Sequence, residues 1–376
     1  MKTIAILFVN YGPYHIARVT ALAEAYSDRN FKVVGIELAR QELEYAWIAN
    51  TEKLPFVLYS LVSDQLLQQI PVYEVTSRLI ILLKNLKPDV IAISGYSHPA
   101  MLLALFWSQW KRKIAILLSE TTEYDEPRVG LKEQIKRWLI GQYQAALVGG
   151  KPHQRYLLKL GMAKAAIFTG YDVVGNDDYH PEKIRLLPKP INQPYFLAIN
   201  RFVTKKNLPF LINAYAAYRQ ANNQEAWNLV LCGDGEMRPQ LEQQIAKLGL
   251  QDSVHLPGFL QQEELLPYFA HAKCFIHASI QEQWGLVVNE AMAAGLPVLV
   301  SNRCGCFEDL IVEEVNGFGF DPTNQKQLTN LMLKISSGEV NIEKMGEAAL
   351  EHIQRFSPDY FADGLIKAVE YALAHH

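Results

Sequence analysis

The sequence predicts an α/β protein of two doubly wound domains, and three observations support that fold class. The chain of 376 residues is longer than one typical hydrophobic core requires. Short apolar runs alternate with helical patterns along its whole length, which is typical of parallel sheets covered by helices on both faces. A proline-rich stretch at residues 187–194 separates two such series, because prolines disfavour both helices and strand ladders.

The first series predicts a domain over residues 1–190. Runs rich in Ile, Val, Leu and Ala predict buried strands at residues 3–9, 32–36, 90–94, 113–118 and 145–148. Helical periodicity is clearest at residues 16–26 and 131–143. The opening run resembles the apolar part of a signal peptide. It lacks a small-residue cleavage site and stops at a glycine turn, so we interpret it as the first strand.

The second series predicts a domain over residues 191–357, followed by a helix over residues 358–376 that packs back on the first domain. Its predicted strands are residues 195–199, 227–231, 254–256, 274–277 and 297–300. Its predicted helices are residues 208–219, 237–247, 262–270 and 286–294. Sheets of this kind bind ligands beyond the carboxyl ends of their strands, so we expect two domains facing each other across a ligand-binding cleft.

Charge is distributed unevenly along the chain, whose formal net charge is −3. Residues 1–190 hold 23 Lys and Arg against 18 Asp and Glu, whereas residues 191–376 hold 13 against 21. The basic half would suit an anionic acceptor or a membrane surface, and ordinary scatter of surface charge is an equal alternative. The overall negative charge and the lack of a basic stripe disfavour nucleic-acid binding.

Composition also bears on location. No run of about 18 apolar residues occurs, so no transmembrane helix is expected. Cys304 and Cys306 lack the further ligands of a zinc site, and four cysteines make no disulfide framework, so we expect reduced thiols in a cytoplasmic protein.

Residues 131–144 place three basic side chains beside Trp138, which leaves peripheral contact with the inner face of a membrane open. Residues 100–113 are better explained as a buried helix.

The densest chemical signal is residues 279–301, SIQEQWGLVVNEAMAAGLPVLVS. Glu282 and Glu290 stand eight residues apart, the first in a loop and the second inside a predicted helix. Three backbone amides would form the N-terminus of that helix, a natural phosphate seat: Gly285, Leu286 and Val287. The alternatives are a capping acid at Glu282 and a solvated position at Glu290. The apolar neighbours of Glu290, however, require that its carboxylate has a partner.

This stretch resembles the E-x7-E motif of the family-4 retaining glycosyltransferases, which have the GT-B architecture of two facing Rossmann-like domains. Three other blocks agree in order and spacing with that family. Residues 200–207 resemble its phosphate-binding block, residues 229–242 its G-D-G turn and residues 254–265 its base-side loop. The resemblance is strong over residues 195–325, whereas the first half matches in architecture more than in motif.

The resemblance implies a role for each matched position. Glu282 would contact the donor sugar, and Glu290 would hold the ribose. Arg201 and Lys206 would clamp the diphosphate and stabilise it as the leaving group in the transition state. Without the glutamate motif, these two residues would be interpreted as surface cations. The remaining predicted donor contacts are Gly233, Gly258, Phe259, Gly285, Leu286 and Val287.

The first half predicts acceptor contacts. In the resembled family a flexible glycine-rich loop after the first strand approaches the diphosphate, which implies that role for Gly12. This chain has only that glycine there, followed by Pro13, so we expect a stiffer loop. His15 and Arg18 begin the next helix and would meet a phosphate or an acceptor, although a capping histidine is an equal alternative for His15. His98 follows the strand at residues 90–94 and is a candidate catalytic residue, with a loop histidine as the alternative.

One departure from the family lies after the strand at residues 113–118, where many members carry a histidine. This chain has Ser119 and Glu120 there, so either Glu120 or His98 would take that role. At residues 169–180, where the family usually shows N-G-V-D, only Asp172 has a counterpart.

The resemblance implies a retaining transfer of a sugar from a UDP- or GDP-sugar to a glycan, lipid-linked or small-molecule acceptor. No metal ion or other cofactor is expected, because no D-x-D stands at a strand end with further ligands. The alternatives are a nucleotide-sugar-binding subunit without transferase activity and a GT-B epimerase or hydrolase. A nicotinamide dehydrogenase is disfavoured because no G-x-G-x-x-G follows the first strand.

Overall fold

A computed structural model describes residues 1–27, 31–41, 51, 53–125, 130–222 and 226–376 and confirms the α/β class. Contacts within the chain divide it into two units. The N unit comprises Met1–Gly175 and Phe356–His376, and the C unit comprises Asn176–Arg355.

The N unit contains a seven-stranded parallel sheet. Its strands are β1 (Lys2–Phe8), β2 (Phe31–Glu37), β3 (Val57–Ser60), β4 (Val90–Ser94), β5 (Ile114–Ser119), β6 (Ala145–Val148) and β7 (Ile167–Thr169). The order β3-β2-β1-β4-β5-β6-β7 reverses direction between β1 and β4, as in doubly wound folds. In the register, Ile4 of β1 pairs with Val33 on one side and Val90 on the other.

Helices cover both faces of this sheet, which is why its central strands are apolar along nearly their whole length. The helices are α1 (Pro13–Ala25), α2 (Val72–Leu86), α3 (Pro99–Trp110), α4 (Gly130–Ile140), α5 (Lys151–Lys159) and, at the end of the chain, α15 (Pro358–Ala374). Phe361 and Leu365 of α15 are buried in the same core cluster as Ile6 and Ile116 of the sheet. The last helix of the chain is therefore part of the N unit.

The C unit contains a six-stranded parallel sheet. Its strands are β8 (Tyr195–Ile199), β9 (Asn228–Cys232), β10 (Val254–Gly258), β11 (Cys274–His277), β12 (Val298–Ser301) and β13 (Gly317–Phe320). Their order, β10-β9-β8-β11-β12-β13, reverses between β8 and β11 and so repeats the pattern of the N unit. Its helices are α6 (Asn176–Tyr179), α7 (Pro181–Ile184), α8 (Leu208–Ala221), α9 (Arg238–Lys247), α10 (Gln262–His271), α11 (Leu286–Ala293), α12 (Phe307–Leu310), α13 (Gln325–Ser336) and α14 (Ile342–Ile353).

The chain passes from one unit to the other at residue 175 and not at the predicted residue 190, because α6 packs within the C unit. The hydroxyl of Tyr179 donates a hydrogen bond to Oε1 of Glu290 at 2.7 Å. Nδ2 of Asn176 donates to the carbonyl of Ile353 at 3.0 Å. The proline-rich residues 187–194 therefore lie inside the C unit. The chain returns to the N unit after Arg355, two residues before the predicted position.

Two further expectations concern thiols and membrane spans. All four cysteines are buried and free, and burial raises the pKa of Cys232 to about 12. Within the described part of the chain, no helix combines the length and the apolar composition that crossing a bilayer requires.

Candidate functional site

A polar cluster lies at the carboxyl ends of β8 and β11, the two strands between which the order of the C-unit sheet reverses. Such reversals are the positions where doubly wound sheets bind ligands. Lys206 belongs to a short 3-10 turn that follows β8, and Glu282 lies in the loop that follows β11. Nζ of Lys206 forms an ion pair with Oε2 of Glu282, and both side chains are 12 % exposed. The fold therefore brings two of the predicted catalytic residues into direct contact.

Two side chains that the sequence analysis did not single out complete this cluster. His277 ends β11, and its Nε2 lies 3.2 Å from Oε2 of Glu282. Oγ of Ser279 donates to the same carboxylate oxygen at 3.1 Å and lies 3.2 Å from Nε2 of His277. Neither residue belongs to a spacing motif. The available signal was that both are polar and directly follow the apolar run of a buried strand.

Electrostatics fix the charge state of the cluster. Burial alone would raise the pKa of Glu282. The hydrogen bond from His277 and the charge of Lys206 outweigh it and hold that pKa well below its usual range. Burial lowers the pKa of His277, so its imidazole is neutral at physiological pH. A neutral imidazole that donates from Nε2 to the carboxylate leaves Nδ1 as an acceptor, and this buried atom has no partner among the described residues.

Backbone hydrogen bonds on both sides hold the loop that carries Glu282. The amide of Gly305 donates to the carbonyl of Glu282 at 3.0 Å. The amide of Ile280 donates to the carbonyl of Lys205 at 2.9 Å, which ties this loop to the turn that carries Lys206. The lysine and the glutamate are therefore positioned by the backbone as well as by their own ion pair.

Helix α11 begins directly beside this cluster. Its N-cap, Gly285, has a φ of +104°, a conformation that favours glycine. A Cβ atom there would also lie 3.4 Å from Nε2 of His277. Leu286 and Val287 form the first turn, whose amides have no acceptor within the helix and carry its partial positive charge. The predicted phosphate seat thus exists as a helix N-terminus adjacent to Glu282.

Glu290 lies on α11 and is buried, with 3 % of its surface exposed. The partner that its apolar surroundings require is present in the same unit, because Tyr179 donates to its carboxylate at 2.7 Å. The structure therefore excludes the alternative of a solvated polar position, and the contact of Glu290 with a ribose remains a prediction.

The other predicted donor contacts lie at the carboxyl ends of β8, β9 and β10. Arg201 follows β8 and is partly exposed, and Phe259 follows β10 with 49 % of its surface exposed. Gly233, after β9, has a φ of +126°, and a Cβ atom there would lie only 1.8 Å from the carbonyl oxygen of Asn200. Its amide donates to the carbonyl of Gly258 at 2.8 Å. These four residues share the edge of the sheet that carries the polar cluster.

In the N unit, His15 caps the N-terminus of α1, which is the alternative that the sequence analysis left open for it. The amide of Gly12 donates to Nδ1 of His15 at 3.2 Å, and the imidazole lies 4.2 Å from the ring centroid of Phe8. Burial, with a smaller effect from the charge of Arg18, lowers the pKa of His15 to about 3. The side chain is therefore neutral, and any contact with a phosphate would be a hydrogen bond without an ion pair.

His98 lies at the end of the loop that follows β4, and the alternative interpretation was a loop histidine. It is the N-cap of α3, and its Nδ1 accepts a hydrogen bond from the amide of Ala100 at 3.1 Å. Burial lowers the pKa of His98. Its catalytic role stays a prediction.

Arg18 points into the N unit and is only 1 % exposed, so its placement does not favour the predicted contact with an acceptor. Its Nε donates to the carbonyl of Val173 at 3.0 Å, and its Nη2 lies 3.8 Å from Oδ1 of Asp172. Burial raises the pKa of Asp172 well above its usual value, Glu120 raises it further, and Arg18 opposes the shift. The structure therefore brings Glu120 together with Asp172 and Arg18.

Comparisons with known proteins agree with this architecture. Residues 180–352, which lie within the C unit, match the family model described as Glycosyl transferases group 1. An uncharacterized glycosyltransferase of Methanocaldococcus jannaschii is 34 % identical over 133 residues, covering 35 % of this chain and 33 % of that protein. The amylovoran biosynthesis glycosyltransferase AmsK of Erwinia amylovora is 31 % identical over 182 residues, covering 46 % of this chain and 44 % of that protein. The chain thus matches less than half the length of these curated relatives.

A solved structure covers the whole fold. Anabaena HepE, in complex with UDP and glucose, has a TM-score of 0.76 and 18 % identity, and the match covers 98 % of this chain and 100 % of that one. At this identity the likeness shows the fold alone, and it confirms the predicted pair of Rossmann-like units of the GT-B type. The similarity to glycosyl transferases group 1 is confined to residues 180–352 of the C unit.

Proposed function

We propose that this protein is a retaining glycosyltransferase that takes its sugar from a nucleotide-diphosphate donor, UDP- or GDP-linked. The observation that carries the proposal is the ionised Glu282, bound by Lys206, His277 and Ser279 at the strand reversal of the C unit. The match of residues 180–352 to glycosyl transferases group 1 supports it independently.

The chemistry of the cluster suits a donor of this kind. Lys206, Arg201 and the N-terminus of α11 supply positive charge and amide donors for a diphosphate, and they would stabilise the charge that develops on the leaving group. Glu282 can accept hydrogen bonds from sugar hydroxyls. In the structure, Lys206 is already paired with Glu282, so an incoming diphosphate would compete with this carboxylate for the lysine. Hydrogen bonds from the sugar hydroxyls would then replace the lysine as partners of Glu282.

The proposal also covers the acceptor and the metal requirement. We assign the acceptor, a glycan, a lipid-linked sugar or a small molecule, to the N unit, with Glu120 and His98 as candidates for the role that a histidine has in the resembled family. We also propose that no metal ion is required, so that turnover persists in the presence of a chelator.

A ligand panel followed by product analysis tests the proposal. UDP or GDP should raise the melting temperature and NAD should not. A ligand at 100 times its Kd adds roughly 2.7 kcal/mol of stability, which a thermal shift resolves easily. Incubation with UDP- and GDP-sugars and candidate acceptors should yield a product with the anomeric configuration of the donor, as read by proton NMR.

The outcomes separate the proposal from its alternatives. A shift with NAD and with neither diphosphate would refute donor binding. Binding without turnover would indicate a sugar-nucleotide-binding subunit, and release of free sugar or an epimerised donor would indicate a hydrolase or an epimerase. An inverted product would leave a glycosyltransferase but refute retention.

A further inference from the structure

One face of the N unit presents a group of large apolar side chains to solvent, on three helices. We refer to them as the apolar band, and its members are between 41 % and 71 % exposed: Ile81, Phe106, Trp110, Leu131, Ile135 and Trp138. Scattered exposed apolar residues are ordinary on a protein surface, whereas a contiguous group that includes two tryptophans indicates an interaction site.

Contacts connect members of the band across the three helices. The rings of Phe106 on α3 and Trp138 on α4 lie 5.9 Å apart, measured between centroids. A groove of about 630 Å³ between α2 and α3 is lined by both Ile81 and Phe106. Leu131 and Ile135 precede Trp138 by seven and three residues, so the exposed apolar residues of α4 lie on one face of that helix. The predicted burial of residues 100–113 is thus incomplete, because this helix also contributes to the band.

Positive charge surrounds the band. Lys111 and Arg112 follow α3, Lys132 lies on α4, and all three are exposed. Nζ of Lys111 lies 4.0 Å from the centroid of the Trp110 ring, so cation and aromatic ring are presented together. The acidic residue of α4, Glu133, lies 3.6 Å from Lys136 and therefore offsets little of this charge.

The geometry points to a lipid bilayer with anionic headgroups as the occupant of the apolar band. Tryptophans and aliphatic side chains would enter the boundary between headgroups and acyl chains, while the flanking lysines and arginine contact the headgroups. Charge disfavours a second copy of this chain, because a two-fold contact through the band would bring two positively charged surfaces together. An anionic bilayer has the complementary charge. The surface lies on the N unit, so this inference does not depend on the donor site of the C unit.

Co-sedimentation with lipid vesicles tests this inference on the full chain. We expect binding to vesicles of phosphatidylcholine and phosphatidylglycerol in equal amounts, and at least about tenfold weaker binding to phosphatidylcholine alone. Tryptophan fluorescence should shift to shorter wavelength on binding, because Trp110 and Trp138 enter a less polar environment. High salt should weaken the interaction.

Two variants and one control separate the contributions. Ile135→Ser combined with Trp138→Ala should reduce the fluorescence shift, because one of the two reporting rings is lost, and should lower vesicle affinity at least about tenfold. Lys111→Glu combined with Lys132→Glu should remove the preference for anionic vesicles. Val312→Ser combined with Val315→Ser changes exposed apolar residues of the C unit and should leave binding unchanged.

Circular dichroism and the thermal shift with UDP or GDP establish that each variant is folded, and they are independent of vesicle binding. Equal binding to both kinds of vesicle, no binding to anionic vesicles, or wild-type binding by the Ile135→Ser, Trp138→Ala protein would overturn the inference. A concentration-dependent dimer without lipid, dissociated by the same substitutions, would assign the band to self-association instead.

Discussion

The six-stranded sheet of the C unit repeats the order of the first six strands of the N unit, but the two sheets bear opposite chemistry at their carboxyl ends. In the C unit, Glu282 is ionised and paired with Lys206. In the N unit, burial raises the pKa of Asp172, and Glu120 raises it further. One edge therefore holds a carboxylate with its counter-ion, and the other holds a carboxyl group that tends to keep its proton.

The difference arises from the neighbours and not from the topology. Oε2 of Glu282 has Lys206, His277 and Ser279 within 3.2 Å. Asp172 is buried beside a second acid, and its cation, Arg18, is 3.8 Å away. A nearby cation and several donors favour the charged form of a carboxyl group, whereas burial and a like charge disfavour it. A shared fold therefore leaves the site chemistry undetermined, and residue-level contacts decide where an anionic ligand is bound.

The largest expected effect concerns the cations of the C unit. Lys206→Ala and Arg201→Ala should each lower kcat/KM by about ten- to a hundredfold, since one charge-assisted contact contributes about 1.5–3 kcal/mol. Lys205→Ala is the neighbouring control and should retain near wild-type kinetics, because its backbone carbonyl and not its side chain ties the loop. Steady-state assays with the donor that the ligand panel identifies provide the measurement. Near wild-type turnover in both of the first two variants would show that the diphosphate is bound elsewhere.

A second prediction separates the two glutamates. Glu290→Gln should weaken binding of free UDP or GDP about tenfold, because a ribose contact is made in the free diphosphate as well as in the donor. Glu282→Gln should bind the free diphosphate almost normally and yet lose turnover, because its contacts are to the reacting sugar and can strengthen in the transition state. Calorimetric titration of the diphosphate into both proteins, followed by kinetics, makes the comparison.

Tyr179→Phe provides a finer version of that comparison. It removes the hydrogen bond to Glu290 without changing the carboxylate itself, so nucleotide affinity should fall by less than in Glu290→Gln.

If Glu282→Gln and Glu290→Gln lose diphosphate affinity equally, the assignment of separate roles to the two glutamates is wrong.

The sequence alone was sufficient to predict most of the strands that consist of apolar runs. Every predicted strand is present, whereas β3, β7 and β13 were not predicted. β7 has only three residues, and β13 alternates glycine with phenylalanine, so neither shows a long apolar run. β3 lies in the apolar run of residues 56–59, which the sequence analysis did not identify as a strand. The unit boundary was placed too late because proline content indicates irregular backbone, which need not coincide with the end of a unit.

The sequence predicts those site residues that belong to a motif with a fixed spacing. It does not predict residues that the fold alone brings close together. The E-x7-E stretch led to Glu282, Gly285 and Glu290, and the contact of Lys206 with Glu282 shows that both blocks serve one cluster. His277 could not be inferred in this way, because a histidine at the end of a buried strand has no spacing partner. The pairing of Glu120 with Asp172 joins residues 52 positions apart and follows only from strand order.

The smallest expected effect is a change in how stability depends on pH, and it tests the N-unit half of the comparison. The pKa of Asp172 in the folded protein lies well above its ordinary value of 3.8. As pH rises between those two values, the unfolded chain releases a proton that the folded chain retains. The free energy of unfolding therefore falls, by up to about 1.4 kcal/mol per pH unit from this one group.

Asp172→Asn removes this proton release. Above the ordinary pKa of 3.8, the free energy of unfolding should therefore decline less steeply with pH in the variant than in the wild type. Urea denaturation at several pH values measures both slopes. Asp252→Asn, at an exposed position of the C unit, should keep the wild-type slope. Equal slopes in the wild type and Asp172→Asn would mean that Asp172 is ionised in the folded protein. Asp172 and Glu282 would then both be ionised, and the two sheet edges would differ only in how closely a cation lies to each carboxylate, Arg18 in the N unit and Lys206 in the C unit.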